Sequence, residues 1–534
     1  MKKKLLTMIP IALTLAACGS EAQEGATDGD MPESAVEVKS EGLPIVDEPI
    51  EMEFFAAKGA MNAPHDWNDI FLWNEYEEMT NVQIDWNQIQ TDALEEQRNL
   101  SMVQDDLPDV YYLAAFPNTD IYRYGEQGVF LPLNDLIDEY APNLTALMDE
   151  NPEIAKSITF PDGNIYSMPS IIEEDFISVR IASRPWINQD WLDELGMEVP
   201  ETTEEFYEYL IAVKDLDPVG NGNTVPFGGT SIDELTQYMA GSFGVMNRGV
   251  RNGPIDFDED NDELRFYATT DEYRELLEYM NRLYTEELID PNIFTIEWGQ
   301  FLANASENQY ASMVFYDPID LFGEDIGTQY NSLSALQGPN GDQSYVKVAP
   351  MVNTIGNYLI TNQNENPAAA VRWMDYFYSD EGSKFYYMGV EGETYEEVDG
   401  ELQYVDSIRN PEDGSTFEQE LSKQLTWIGA TQGIIKEDYF NGSESAPTSL
   451  EAADKIEEYV PEIWGGFTYT AEENDALSSY GADIEKYVSE MRDQFIAGDI
   501  SFDEWDEYVE TIESMGLEDY MSVKQEAYER YVAE

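Results

Sequence analysis

The sequence predicts an α/β fold, a mostly parallel sheet with crossover helices, in a chain long enough for two or more lobes. Two observations carry this. Strand-like and helix-like stretches alternate along the start of the body, and 534 residues at 42% hydrophobic content supply a large core. "EMEFFAA", Glu51 to Ala57, alternates as a half-buried strand does. "WNDIFLWNEYEEMT", Trp67 to Thr80, then sets Ile70, Phe71, Trp73 and Tyr76 at near-helical spacing. "NVQIDWNQI" returns to period two, with Val82, Ile84 and Trp86 on one face. A helix spanning Asp92 to Gln104 leads to a third strand in "LPDVYYLA". Strand, helix, strand, helix, strand is the order that builds parallel pairs, because each parallel connection needs a crossover.

Later stretches carry helical stripes. Tyr273, Leu276, Leu277, Met280, Leu283 and Tyr284 line one face of an amphipathic helix. Ile484, Tyr487, Val488, Met491 and Phe495 line another, which Gly498 can end in a left-handed conformation. Both are expected to be core packing.

The only cysteine, Cys18, follows "LTLAA", behind Lys2, Lys3 and Lys4 and a short apolar run. That run is shorter than the roughly 20 residues a membrane span needs, and it has the charged-then-apolar order of a signal peptide. With Leu15, Ala16 and Ala17 ahead of Cys18, it resembles the lipobox of bacterial lipoproteins. That resemblance implies cleavage after residue 17 and a diacylglyceryl group on Cys18; an ordinary signal peptide with a stray cysteine is the alternative. No other cysteine remains for a disulfide, a thiolate nucleophile or a metal site. Residues 18–45 are rich in Gly, Ser, Glu, Asp and Pro and read as a disordered tether with a span of roughly 30 Å.

The charge is extreme. With 109 acidic and 27 basic residues the formal charge is −82, and loss of three leader lysines makes it −85. Such a field repels nucleic acid and anionic lipid, so neither is an expected partner. The acids are spread through apolar and aromatic pattern rather than gathered in a tail, which excludes a disordered acidic chain. Screening relieves self-repulsion, so the composition points to a salty or alkaline extracellular setting.

Several stretches, in order, resemble one family. They are "LSMVQDDLPDVYYL", "GVFLPLNDLIDEYAPNL", "FPDGNIYSMPS", "WINQDWLDELGMEVPETTEEFYEYLIAVKDLDPVGNG", "EYRELLEYMNRLYTEELIDP", "NPAAAVRWMDYFYSDEGSKFYYMGVEGETYEEVDG" and the C-terminal run from "YGADIEKYVSEM" to "AYERY". Together they resemble the family 1 extracellular solute-binding lipoproteins of ABC carbohydrate importers. The subgroup most alike takes up oligosaccharides, some members binding acidic fragments. The resemblance implies a two-lobed periplasmic-binding-protein class II fold with a sugar cleft between lobes. It places 46–170 with 351–420 in lobe 1, and 171–350 with 421–534 in lobe 2. It further implies an ABC permease and ATPase as partners, a monomer, and attachment to the outer face of the membrane through the anchor alone.

A sugar offers an apolar ring face and a rim of hydroxyls, so a cleft needs flat aromatics and planar polar groups. Candidates at loop-like positions are Trp67, Trp298, Tyr316, Trp427 and Trp464, with Asn62, His65, Asp66, Asp317, Glu391 and Tyr395 as polar or mixed contacts. For any single aromatic, burial in the core is the commoner role. Neutral sugars are the preferred class, because no lysine or arginine can be assigned from sequence to hold an acidic one.

The resemblance also implies a calcium loop shaped like an EF-hand. In "DPVGNGNTVP" the oxygen ligands Asp217, Asn221 and Asn223 are kept, but Val219 takes an alternate position and the closing acidic pair is missing. Calcium takes six to eight oxygens, so the set is short. No cofactor is expected, with calcium the alternative. "DFDEDNDEL" places Asp256, Asp258, Asp260 and Asp262 at alternate positions, but reads better as an acidic hairpin turn.

Catalysis finds little support. One histidine, His65, and the absence of G-x-S-x-G, Walker, G-x-G-x-x-G, C-x-x-C and H-E-x-x-H motifs leave no triad, nucleotide or zinc signature. A glycosidase needs only two carboxylates, and among 109 acids pairs such as Glu173 and Glu174 arise by chance. The alternatives to an importer subunit are a sugar receptor for signalling or adhesion, and a glycoside hydrolase.

Overall fold

Ile50–Lys58 forms the strand around which the first sheet is built. It pairs in parallel with Val82–Gln90 on one side and Val110–Tyr112 on the other. This computed structural model describes residues 34–58, 65–103, 107–411, 417–426 and 433–533. Cys18, Asn62 and Trp427 lie outside the described residues. The parallel order is the one expected. An antiparallel edge, Tyr358–Ile360, was not legible, because it returns from some 250 residues away to pair with Val110–Tyr112.

The helix expected from Trp67 begins later, at Phe71–Thr80, after a single 3-10 turn over Trp67–Asp69. The turn forms because the Asp66 carboxylate accepts from the Asn68 amide, which caps it and turns Trp67 inward. Asn81 ends the helix in the left-handed region, φ 59°. The helix before the third strand is shorter than expected, Leu94–Ser101. The face that Phe71–Thr80 covers is aromatic: Trp73 stacks on Trp373 at 5.5 Å between centroids, and Phe54, Trp86 and Tyr112 pack beside them.

The second sheet has the order Tyr330–Ser332, Arg184–Asn188, Tyr310–Phe315, Val225–Gly228, with one parallel pair. Both striped helices cover this half. Asp271–Thr285 buries Tyr273, Leu276, Leu277, Met280 and Leu283. Ala482–Ala497 buries Ile484, Val488, Met491 and Phe495, and Gly498 ends it at φ 78°. Asn281 of the first helix donates to the Phe495 and Ile496 carbonyls at the end of the second. The "DFDEDNDEL" run is the antiparallel hairpin Ile255–Asp258 with Glu263–Phe266.

Three short strands form a third sheet, Val352–Thr354, Ser170–Ile172 and Gly433–Ile435. The first two lie where the chain passes between the large sheets and the third leads to the C-terminal helices that pack on the second half, so the three crossings are hydrogen-bonded side by side as a hinge. Gly433 opens its strand at φ 84°, and a Cβ there would meet the Phe377 carbonyl oxygen at 2.5 Å.

The tether departs from expectation. From Ser34 onward the chain is docked: Ile45 and Val46 are buried, and the Arg372 guanidinium donates to the Lys39 and Gly42 carbonyls. Two apolar residues and a cation that collects carbonyls are enough to fix a segment whose composition reads as disordered.

Candidate functional site

Three adjoining cavities of about 620, 160 and 440 Å³ run along the hinge. The first is lined by Ile172 and Asn353 of the crossing strands and by Arg180, Ser183, Glu234, Tyr316, Lys347 and Glu444. The second passes between Phe116, Asn118 and Ser157 on one side and Gly466 on the other. The third lies between Pro117 to Thr119 and a wall containing Asn252, Tyr469, Asn474, Glu485 and Lys524. Arg251 lines all three. The groove thus has one wall from the first sheet's loops, one from the second half, and two of the hinge strands, at Ile172 and Val352–Thr354, as its floor.

Charge in the first cavity is arranged from the inside out. Glu234 stands one turn into a helix capped by Ser231, Ile232–Ala240, and accepts from Lys347, Ser183 and Thr230. Burial alone raises a carboxyl, but the ammonium and the two hydroxyls outweigh it and hold Glu234 below its usual range. Arg180 Nε donates to the Ala349 carbonyl at 2.9 Å and Nη1 to the Glu174 carbonyl at 3.1 Å. Arg251 Nη2 donates to the Asn353 carbonyl at 2.8 Å and to its side-chain oxygen at 3.2 Å. Arg251 is open to the groove, yet the protein around its guanidinium removes enough water to lower its pKa; burial does the same to Arg180, opposed by Glu174. Tyr316, 37% exposed, keeps its proton because burial, then Glu444 and Glu234, raise the phenol.

Of the residues expected from sequence, the structure brings Tyr316 into the groove. Trp298 is 49% exposed and packs on Phe315, which also touches Tyr316, so the two rings flank one core phenylalanine. Asp317 is fully buried and accepts from the Ile319 amide and from Thr448 and Ser449; it builds the loop rather than presenting a free carboxylate.

Asp66, His65 and Trp67 gather at the carboxyl end of the first sheet. Lys58 Nζ donates to the His65 carbonyl and to Gln88 Oε1, which also accepts from the Trp67 amide, while Gln88 donates to Asp66. Ligands of α/β sheets bind beyond such carboxyl ends.

Two aromatic expectations fail. Trp67 is fully buried against Trp86, and Trp464 is 4% exposed between Tyr528 and Phe467 under the Arg248 guanidinium. Their neighbours in sequence are loop-like and polar, but their rings are closed off from any sugar face. Glu391 and Tyr395 also line none of the three cavities: Glu391 is exposed in the turn, and Tyr395 is buried under Lys384 in the hairpin Tyr395–Val398 with Glu401–Tyr404.

Sequence reasoning missed Arg180, Arg251 and Asn353. The available signal was the rarity of basic residues, since "SVRIASR" and "NRGVRNG" each hold two arginines in a chain with four acids per base.

The loop read as a calcium site is held by its own hydrogen bonds. Asp217 caps the helix Thr203–Leu216 at φ 45°, and its two oxygens accept from the Gly222 amide and the Thr224 hydroxyl, both at 2.8 Å. Both carboxylate oxygens thus serve the loop's own donors, and among the described residues no group of three or more His, Cys, Asp or Glu could hold a metal ion.

Over 561 aligned residues the chain is 30% identical to the fructooligosaccharide ABC transporter substrate-binding protein FusA of Streptococcus pneumoniae serotype 4, spanning 100% of this chain and 99% of FusA. It is 22% identical over 475 residues to the polygalacturonan/rhamnogalacturonan-binding protein YtcQ of Bacillus subtilis (strain 168), covering 85% and 87% of the two. The solved structure of S. pneumoniae FusA in complex with kestose matches with a TM-score of 0.72 at 26% identity, over 90% of this chain and 99% of that one. Residues 67–384, which take in the whole second sheet, three strands of the first and two of the three crossings, match the bacterial extracellular solute-binding proteins, and the chain belongs to that family.

Proposed function

We propose that the protein is the substrate-binding subunit of an ABC importer, held at the outer face of the membrane by acylated Cys18, and that it captures oligosaccharides by closing its two halves on them. The observation that carries this reading is the end-to-end likeness to FusA, whose name gives it a fructooligosaccharide ligand, together with a groove floored by two of the crossing strands. Polar groups on both walls and the exposed ring of Tyr316 suit a hydroxyl-rich chain. Ligand favours the closed state only through contacts made with both walls, so closure is a population shift. The closed form then docks as a monomer on a permease driven by an ATPase. No chemistry on the sugar is proposed. The lobe boundaries given above belong to this reading, and the crossings at Ser170–Ile172, Val352–Thr354 and Gly433–Ile435 support them.

The test uses the chain from residue 18 with Cys18→Ser, in a thermal-shift screen against oligosaccharides followed by a reducing-end assay. A raised melting temperature with intact sugar is the expected outcome. Cleaved sugar moves the assignment to a hydrolase, and no shift with any sugar opposes the receptor reading.

A further inference from the structure

The charge balance of the groove is opposite to that of the molecule. Acids outnumber bases 109 to 27, so a basic side chain ordinarily finds a carboxylate. Arg248, Arg265, Arg282 and Arg530 each have one within 3.0 Å. Around the first cavity the arginines do not. Among the described residues Arg180 and Arg251 have only carbonyl and amide oxygens as acceptors. Behind the same wall Arg184 is fully buried, donates to Ser178 and the Ile181 carbonyl, and leaves Nη1 without a partner. Lys347 is balanced by Glu234. The remaining acid on the wall is Glu444, so two guanidiniums line the cavity against one further carboxylate.

A guanidinium without a carboxylate keeps donors to spare, and its five donors in a fixed fork match a carboxylate two at a time. Arg251 spends one nitrogen on Asn353, and its Nε and Nη1 have no partner among the described residues. The overall negative field is screened beyond about 10 Å at moderate salt, so these near charges govern what the cavity accepts.

Resting on the receptor reading above, we infer that the groove selects oligosaccharides that carry carboxylates, with Arg251 and Arg180 as the groups that bind them. This reverses the preference for neutral sugars, which rested on the lack of an assignable cation.

The test measures binding to the Cys18→Ser chain by calorimetry, using trimers of galacturonate, mannuronate and glucuronate, their methyl esters, and kestose as a neutral probe. The expected result is binding of at least one acidic trimer, tenfold or more weaker binding of its ester, and falling affinity with added NaCl. Arg251→Gln and Arg180→Gln should each lose about tenfold or more for the acid, with Arg251→Lys recovering part. Equal or tighter binding of kestose or the esters overturns the inference and leaves the receptor reading in place. Binding of none of the probes overturns both. Should a glutamine variant fail to fold, the acid-against-ester comparison on the unsubstituted groove still decides.

Discussion

Trp67 and Trp298 stand at similar positions, each the first residue of a helical turn, yet burial gives them opposite expected behaviour. Trp67→Ala opens a cavity in the first aromatic core and should destabilise by about 3–5 kcal/mol in chemical denaturation. Trp298→Ala removes a half-exposed ring and should cost less than about 1 kcal/mol in the same assay. Asp66 was legible only as a polar residue at a loop-like position; the fold makes it the cap of the turn that directs Trp67 inward. Glu234 gives a pH prediction. Its folded pKa lies below the unfolded one, so its contribution to stability is present above the unfolded carboxylate range and is lost as pH falls through the folded value. Glu234→Gln should therefore lower the melting temperature at pH 7, and the gap to the unsubstituted protein should narrow as pH falls below about 4. A gap that is constant with pH would mean the Lys347 pair adds nothing.

At the scale of elements, the hinge and the Asp217 loop make separate predictions. Gly433→Ala forces a side chain into the left-handed region and against the Phe377 carbonyl, so a loss of more than about 2 kcal/mol is expected on denaturation. Gly400, at φ 95° with open space around it, should tolerate alanine better, which separates the clash from the backbone strain. Because Asp217 is already satisfied by Gly222 and Thr224, EDTA should leave the melting temperature unchanged, and added calcium should not raise it. A rise with calcium would show that the loop rearranges around the ion. The parallel strands and both striped helices could be read from residue periodicity, since a face that meets the core must repeat at 2 or 3.6 residues. The edge strand Tyr358–Ile360 and the docked segment from Ser34 could not, because their partners are hundreds of residues away.

For the molecule as a whole, self-repulsion predicts that the melting temperature rises as NaCl is added, by screening of a formal charge of −82 or beyond. A flat salt series would remove the argument from composition to habitat. Closure predicts a second whole-molecule signal: the radius of gyration from small-angle scattering should fall when a bound oligosaccharide is added, and stay unchanged with a sugar that produces no thermal shift.

The sequence by itself determined the leader and its single cysteine as an expectation, the α/β class, the helical stripes and the ordered likeness to solute-binding proteins. These are local or cumulative properties, written in periodicity, composition and the order of short stretches. The tertiary structure decided which aromatics are core and which are open, where the three crossings pair, and which arginines lack a carboxylate. Those depend on what lies opposite each side chain after folding: Arg251 and Arg248 are three residues apart, and only the fold gives one of them Glu259 and leaves the other facing the groove.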